Sequence, residues 1–237
     1  MGGLKNPPTT KKGQEGDTKN MITGKILVTG GAGTIGNAII ERAKRDSWDC
    51  DFTIYSRSES RQAEMRRAHP RLNYVIGDVR DSERLTAVTA GHDVIIHAAA
   101  MKRIPECETN PIECIKTNVN GTLNVAKACI ANGIDRAIFT SSDKAVNPKN
   151  IYGATKLCGE HLWIKSNIGS HRSKFSIARY GNVAASQGSV IERWAKQLDD
   201  KRPITITDNT MITGFDFTIM VLQLFEVLMF DRNHAAP

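Results

Sequence analysis

The residues whose types and spacing could do chemistry cluster between positions 140 and 156. Thr140-Ser141-Ser142-Asp143-Lys144 closes an apolar run, and Tyr152-Gly153-Ala154-Thr155-Lys156 follows an Asn- and Pro-bearing segment. On a helix, Tyr152 and Lys156 lie one turn apart on one face. A free phenol titrates near pH ~10. A neighbouring ammonium favours the phenolate, which can take a proton from a hydroxyl. A Tyr-x-x-x-Lys spacing by itself is common on surfaces. It carries weight only if the surrounding elements place it beside something reactive.

Those elements are legible from Lys25 onward. Short apolar runs, at Ile26–Val28, Phe52–Tyr55, Tyr74–Ile76, Val94–Ile96, Ala137–Phe139 and Phe175–Ala178, alternate with longer stretches compatible with helices. This is the pattern of an α/β fold, a Rossmann-like doubly wound parallel sheet. Runs such as Asp93-Val94-Ile95-Ile96-His97 do not alternate, as expected when both faces are covered. One helix start is marked by Asn110-Pro111-Ile112-Glu113, with Asn as N-cap, and its far end by Asn132-Gly133.

The first run leads into Gly30-Gly31-Ala32-Gly33-Thr34-Ile35-Gly36. Gly30 permits a tight turn, Gly33 lets the backbone approach a pyrophosphate, and Gly36 lets helix and strand pack closely. The N-terminus of the following helix adds N–H groups and a positive dipole end. A dinucleotide is the expected ligand, with Ala32, Thr34 and Ile35 in its cradle. About twenty residues on, where an acid would meet the ribose 2′-hydroxyl of NAD, stand Ser56 and Arg57. A hydroxyl and a guanidinium suit a 2′-phosphate, so the expected cofactor is NADP. Asp78 and Val79 are expected to flank the adenine, and Ala98 and Ala99 to line the ribose and nicotinamide side. Tyr152 and Lys156, after the fifth strand, then face the nicotinamide.

Composition sets the outer bounds. The 237 residues, 40% of them hydrophobic, can bury a substantial core. Residues 1–22 are polar, hold no apolar signal core and are expected to form a disordered tail. The net charge of +7 admits a nucleic acid or a small anion as partner. The arginines from Arg57 to Arg71 are interleaved with Glu59 and Glu64 and lack aromatic platforms, which favours a solvated helix face over a nucleic-acid surface. Five cysteines without a Cys-x-x-Cys pair read as reduced thiols, hence a cytoplasmic setting, and give no zinc pattern. The stretch Phe217–Phe230 is too short and too polar for a membrane span.

The order TGGAGTIG, YSR, GDVRD, HAAAMKRIP, NPIECIKTNVNGTLN, SSDKAVNPKNIYGATK, RYGNV resembles the extended short-chain dehydrogenases/reductases. More narrowly it is similar to the soluble, C5-inverting UDP-N-acetylglucosamine 4,6-dehydratases that begin pseudaminic acid synthesis. The resemblance spans about Lys25 to Asp208, and the SSDKAVNPKNIYGATK block is its specific part. It implies a UDP-sugar substrate, a homo-oligomer, and hydride transfer between the sugar and NADP. Tyr152 would be the base at C4, with Lys156 holding ribose and phenolate. Lys144 would remove the C5 proton, and Asp143 would protonate the departing C6 hydroxyl. Lys102 would meet both cofactor and substrate, Asn182, Val190 and Thr207 the substrate, and Val183 the cofactor.

The chain departs from that pattern after position 185. Gln187 and the Asn209–Phe215 segment stand where the family carries arginines suited to a diphosphate. The expected organisation is a tail at 1–22, an NADP-binding Rossmann domain at 23–185 and a shortened C-terminal substrate-binding part at 186–237. The apolar Thr218–Phe230 segment is expected to pack on the Rossmann core. Two other readings stay open: a UDP-sugar 4-epimerase or other nucleotide-sugar dehydratase, and a catalytically silent NADP-binding module or partner subunit.

Overall fold

The computed structural model describes residues 23–183, 190–206 and 215–216. The tail at 1–22, Thr207 and the Thr218–Phe230 segment lie outside the described residues. All six expected strands are present: β1 (Thr23–Thr29), β2 (Asp49–Ser56), β3 (Asn73–Ile76), β4 (Val94–His97), β5 (Arg136–Ser142) and β6 (Lys174–Tyr180). They form one parallel sheet in the order β3-β2-β1-β4-β5-β6.

The runs fail to alternate because each strand feeds two cores. Ile26, Val28, Ile54 and Ile96 pack with Ile39, Ile40 and Ala43 of α1 (Thr34–Arg45) and Met65 of α2 (Glu59–Ala68). Leu27, Ile95, Ala137 and Phe139 point the other way. They meet Leu85 of α3 (Ser82–Thr89), Val125 and Cys129 of α6 (Gly121–Asn132) and Trp163 of α7 (Ile151–Ser166). Burying each such aliphatic side chain stabilises by about 1.5–3 kcal/mol, so both helix layers are held firmly on the sheet.

Between β4 and α6 the chain forms α4 (Ile104–Thr109), α5 (Pro111–Ile115) and a π-helical turn at Lys116–Asn120. The sequence reading of one helix from Asn110 needs correction at its start. Asn110 makes no side-chain cap and instead donates to the Glu106 carbonyl, because α4 ends on the residue where α5 begins. Glu113 pairs with Arg80 and Lys116. The far end is as expected: Gly133 takes the left-handed conformation at φ 61° and stops α6. Within the Arg57–Arg71 stretch Glu59–Ala68 forms α2, whose Arg66 lies 4.8 Å over the Tyr74 ring.

The strand order reverses between β1 and β4, and such a switch point opens a crevice at the carboxyl ends of the strands. Register makes those ends level: Thr29 sits opposite both Tyr55 and His97, and His97 opposite Phe139. Among the described residues no helix is long and apolar enough to cross a membrane.

Candidate active site

The glycine turn forms one wall of this crevice. Gly30 has φ +69°, and a Cβ there would lie 2.7 Å from the Ala99 backbone, so the turn is pressed against the end of β4. A Cβ on Gly36 would lie 1.9 Å from the Gly31 carbonyl, which is why α1 can rise directly out of the turn. Gly33 caps α1 without a side-chain acceptor for the first-turn N–H groups, the condition in which a helix N-terminus takes an anion. A cavity of about 440 Å³ beside the turn is lined by Gly33, Thr34, Asn37, Arg61, Met65 and Glu192.

The expected cofactor residues divide on inspection. Buried Gln62 donates to the Ser56 hydroxyl at 3.0 Å and fixes its direction. Arg57 is exposed and lies 3.7 Å from Asp78, whose carboxylate also binds Arg80. The Val79 side chain is buried in the core against Gly121. Arg61, in the cavity with Gly33 and Thr34, was missed by sequence reasoning. Its position one turn into the helix after Ser56-Arg57 was the available signal.

The four expected catalytic residues come together at the end of β5. α7 starts rigidly: Asn150 Oδ1 accepts from the Gly153 N–H at 2.8 Å and Glu108 Oε1 from the Ile151 N–H at 2.8 Å. Ser142 Oγ accepts the Lys144 N–H at 3.2 Å and starts a short 3₁₀ turn over Asp143–Ala145. Ser142 also acts on the Tyr152 phenol, favouring its ionised form. Ser142 in turn donates to Asp143 Oδ1 at 2.8 Å, and Lys144 Nζ donates to that same oxygen at 3.0 Å and to Asn182 Oδ1 at 2.9 Å. One continuous bond chain thus joins Ser142, Asp143, Lys144 and Asn182 beside the Tyr152 phenol. Ser142 was not singled out from the sequence, although its place as the last residue of β5 was visible.

A family model described as "Polysaccharide biosynthesis protein" matches residues 26–227. The chain belongs to this family. The family member named UDP-N-acetylglucosamine 4,6-dehydratase (inverting) of Campylobacter jejuni is 42% identical over 88% of this chain and 64% of its own length. A Rickettsia bellii protein named UDP-glucose 4-epimerase is 38% identical over 85% of this chain and 62% of its own. The chain therefore spans about two thirds or slightly less of the curated relatives it matches. Among solved structures, Pen from Bacillus thuringiensis has a TM-score of 0.84 at 34% identity, covering 90% of this chain and 69% of that one. DesIV of Streptomyces venezuelae, a dTDP-glucose 4,6-dehydratase with NAD and TYD bound, has a TM-score of 0.77 at 22% identity. That likeness shows the Rossmann-like fold.

In this family member, electrostatics separate the roles of the clustered side chains. Burial pushes the Tyr152 phenol up, with Tyr180 and Asp143 adding to the rise against the lowering influence of Ser142. Tyr152 is therefore neutral at pH 7 in this state. Lys156 is buried, donates to the Thr140 carbonyl at 2.9 Å and lies 4.5 Å from the centre of the Phe139 ring. Its ammonium is directed to Thr140 here, whereas the resemblance implied that it holds both ribose and phenolate. Burial lowers its pKa to about 8, opposed by Glu160, which Arg179 grips with two hydrogen bonds. Burial raises Asp143, but its bonds to Ser142 and Lys144 outweigh this and hold it below the usual carboxylate range.

The Lys156 shift has a stability consequence. The unfolded lysine keeps its proton to higher pH than the folded one, so the unfolded state binds more protons between about pH 8 and 10.5. Wild-type stability relative to Lys156→Met is thus expected to rise across that window, by at most about 1.4 kcal/mol per pH unit. Urea midpoints of both proteins from pH 7 to 10 check this; a constant difference would contradict it.

Proposed function

We propose that this chain performs the NADP-dependent dehydration of UDP-N-acetylglucosamine to a 4-keto-6-deoxy UDP-hexosamine with inversion at C5. The bond chain from Ser142 to Asn182, with Ser142 also acting on the Tyr152 phenol, is the observation that carries this reading. It sets a phenol for one carbon beside a separate acid and base for two others. The name of the Campylobacter relative supports it.

The glycine turn fits a pyrophosphate, since a Cβ at Gly30 would collide with β4 and Gly33, at the N-cap of α1, has no side chain to stand between that helix end and a ligand. Arg61 and Arg57 fit a 2′-phosphate. Bound NADP supplies a site that accepts and returns hydride. Beside a bound, positively charged nicotinamide ring Tyr152 would lose its proton to solvent and, as the phenolate, take the proton of the sugar C4 hydroxyl. The resulting ketone acidifies the C5 proton, which Lys144 removes while Asp143 protonates the departing C6 hydroxyl. The resting ion pair already holds the right number of protons. Moving one proton across the 3.0 Å bond from Lys144 to Asp143 gives the neutral amine and neutral acid that this step needs. Asn182 orients the amine. Lys102, its pKa lowered by burial and by Arg103 and Arg61, adds positive potential for a diphosphate.

Mass spectrometry of UDP-N-acetylglucosamine incubated with the protein and NADP tests the reading. Loss of one water is expected. An isomer of unchanged mass would favour the 4-epimerase named for the Rickettsia relative, which needs no C5 base. Tight NADP binding with no product would favour a silent module and overturn the proposal. For the cofactor, Arg61→Ala is expected to weaken NADP by about tenfold, the scale of one hydrogen bond to a charged group. NAD affinity should change by less than about twofold, since only the 2′-phosphate contact is lost. Equal weakening of both in fluorescence titrations would remove Arg61 from the 2′-phosphate.

A further inference from the structure

His97 closes β4 and is fully buried, with ring centroids 5.5 Å from Phe139 and 5.7 Å from Trp163. Its two ring nitrogens face two hydroxyls. Nδ1 lies 2.7 Å from Thr29 Oγ1 and Nε2 lies 3.0 Å from Thr122 Oγ1. Counting hydrogens decides the tautomer. Thr122 has one hydroxyl hydrogen and donates it to the Asn118 carbonyl at 2.6 Å. Towards His97 its oxygen can then only accept, so Nε2 carries the ring hydrogen. Burial and the Lys156 charge push the His97 pKa down to about 3, so the ring holds a single hydrogen at neutral pH. Nδ1 is left as the acceptor and Thr29 as its donor.

The direction of donation is thus fixed from Thr29 through His97 and Thr122 to Asn118. Asn118, in the π-helical turn, is a junction. Its Nδ2 donates to the Met101 carbonyl at 2.9 Å and to Thr155 Oγ1 at 3.0 Å, and its Oδ1 accepts the Met101 N–H at 2.8 Å. Thr155 donates to the Tyr152 carbonyl at 2.8 Å. A second branch leaves the His97 main chain: its carbonyl accepts from the Thr140 hydroxyl at 3.1 Å, and the Thr140 carbonyl accepts from Lys156 Nζ.

We propose that His97 is a positioning residue, locked as the Nε2–H tautomer, that ties the glycine turn at the end of β1 to the Lys102 loop, to Tyr152 and to Lys156. The roles of those three residues rest on the function proposed above; the network and the tautomer do not. A buried network with every group paired admits one arrangement, and π-helical turns recur at functional sites. Each hydrogen bond is spent holding a neighbour in register: Thr29 immediately before Gly30, Met101 immediately before Lys102, and the first turn of α7. Lys156, from α7, is the charged group acting on the ring, and it opposes any second proton there.

The test uses the whole protein labelled with ¹⁵N and needs no turnover. The His97 resonances should show a protonated Nε2 and a bare Nδ1, unchanged from pH 5 to 8. Thr122→Val keeps the side-chain shape but removes the acceptor, so the ring should switch to Nδ1–H, donating to Thr29. The Met101 and Thr155 amide resonances should move with it. Thr122→Ser should restore both. Where turnover is measurable, Thr122→Val should lower kcat about tenfold through misplacement alone, with NADP affinity and substrate KM within about twofold. A wild-type Nδ1–H ring, a titration between pH 5 and 8, or a tautomer switch that leaves Met101 and Thr155 unmoved would each overturn the proposal. Loss of the dehydratase reading alone would leave the tautomer and amide results standing.

Discussion

Lys144→Ala is expected to abolish solvent deuterium uptake at sugar C5 and to lower turnover by about 10²–10⁴-fold, the contribution of one positioned acid–base group. Lys144 Nζ sits between the Asp143 carboxylate and the Asn182 amide oxygen, past the end of β5. In the proposed mechanism, removing it deletes the base for C5 and also the proton that Asp143 would pass on. The glycine turn, Arg61 and Lys156 are untouched, so NADP affinity should stay within about twofold, because none of its expected hydrogen bonds is lost. Tyr152 is also untouched. A substrate-dependent NADPH signal from the first hydride step should therefore survive while water loss does not. Exchange at the native rate in the variant would show that Lys144 is not the base. Lys144→Arg keeps the charge but not the compact, readily deprotonated amine, and should fail nearly as badly.

Which parts of this site were legible in the sequence follows from how each part is encoded. The strands were, because a parallel strand buried on both faces must be apolar at successive positions, as in Val94-Ile95-Ile96 and Ala137-Ile138-Phe139. The glycine turn was, because only residues without a Cβ fit against Ala99 and Gly31. Asp143, Lys144 and Tyr152 were, because they are near one another in the chain and the 3₁₀ turn and α7 keep them near in space. Ser142 was not: a serine ending a Thr-Ser-Ser run shows no sign that its oxygen will bind Asp143 and start the 3₁₀ turn. The buried network was also hidden. Thr29, His97, Thr122, Asn118 and Thr155 come from β1, β4, α6, the π-helical turn and α7, and each looks unremarkable by itself. Only the sheet register that sets Thr29 opposite His97 brings the first two together. The Asn110 cap failed for a related reason: α4 ends against α5, and the asparagine side chain finds a carbonyl there first. Arg61 needed the fold of α2 over the glycine turn before its direction had meaning.

Gly153→Ala is expected to abolish water elimination in a chain that still folds. Gly153 lies in the first turn of α7, immediately after Tyr152, where α7 crosses the 3₁₀ turn. A Cβ there would stand 2.2 Å from the Lys144 carbonyl oxygen and 3.1 Å from Pro148 Cβ. The obstacle is backbone, so no side-chain rotation relieves it. Either α7 moves outward or the Asp143–Ala145 turn does, by roughly 1 Å to restore contact distance. α7 is pinned at its start by Asn150 and Glu108 and along its length by the buried Trp163, so the turn should yield. Overpacking of this kind costs about 1–3 kcal/mol, visible as a lower urea midpoint. The functional loss should be larger than that suggests, because a 1 Å misplacement of reacting groups can cost about 10²-fold. The turn carries both Asp143 and Lys144, while Lys156 and the glycine cradle lie beyond the disturbance. NADP titration should therefore be close to normal in a folded variant that has lost water elimination. Near-normal turnover with an unchanged midpoint would mean that the turn absorbs the methyl without moving its two side chains, and the close approach of α7 would then have no part in the chemistry.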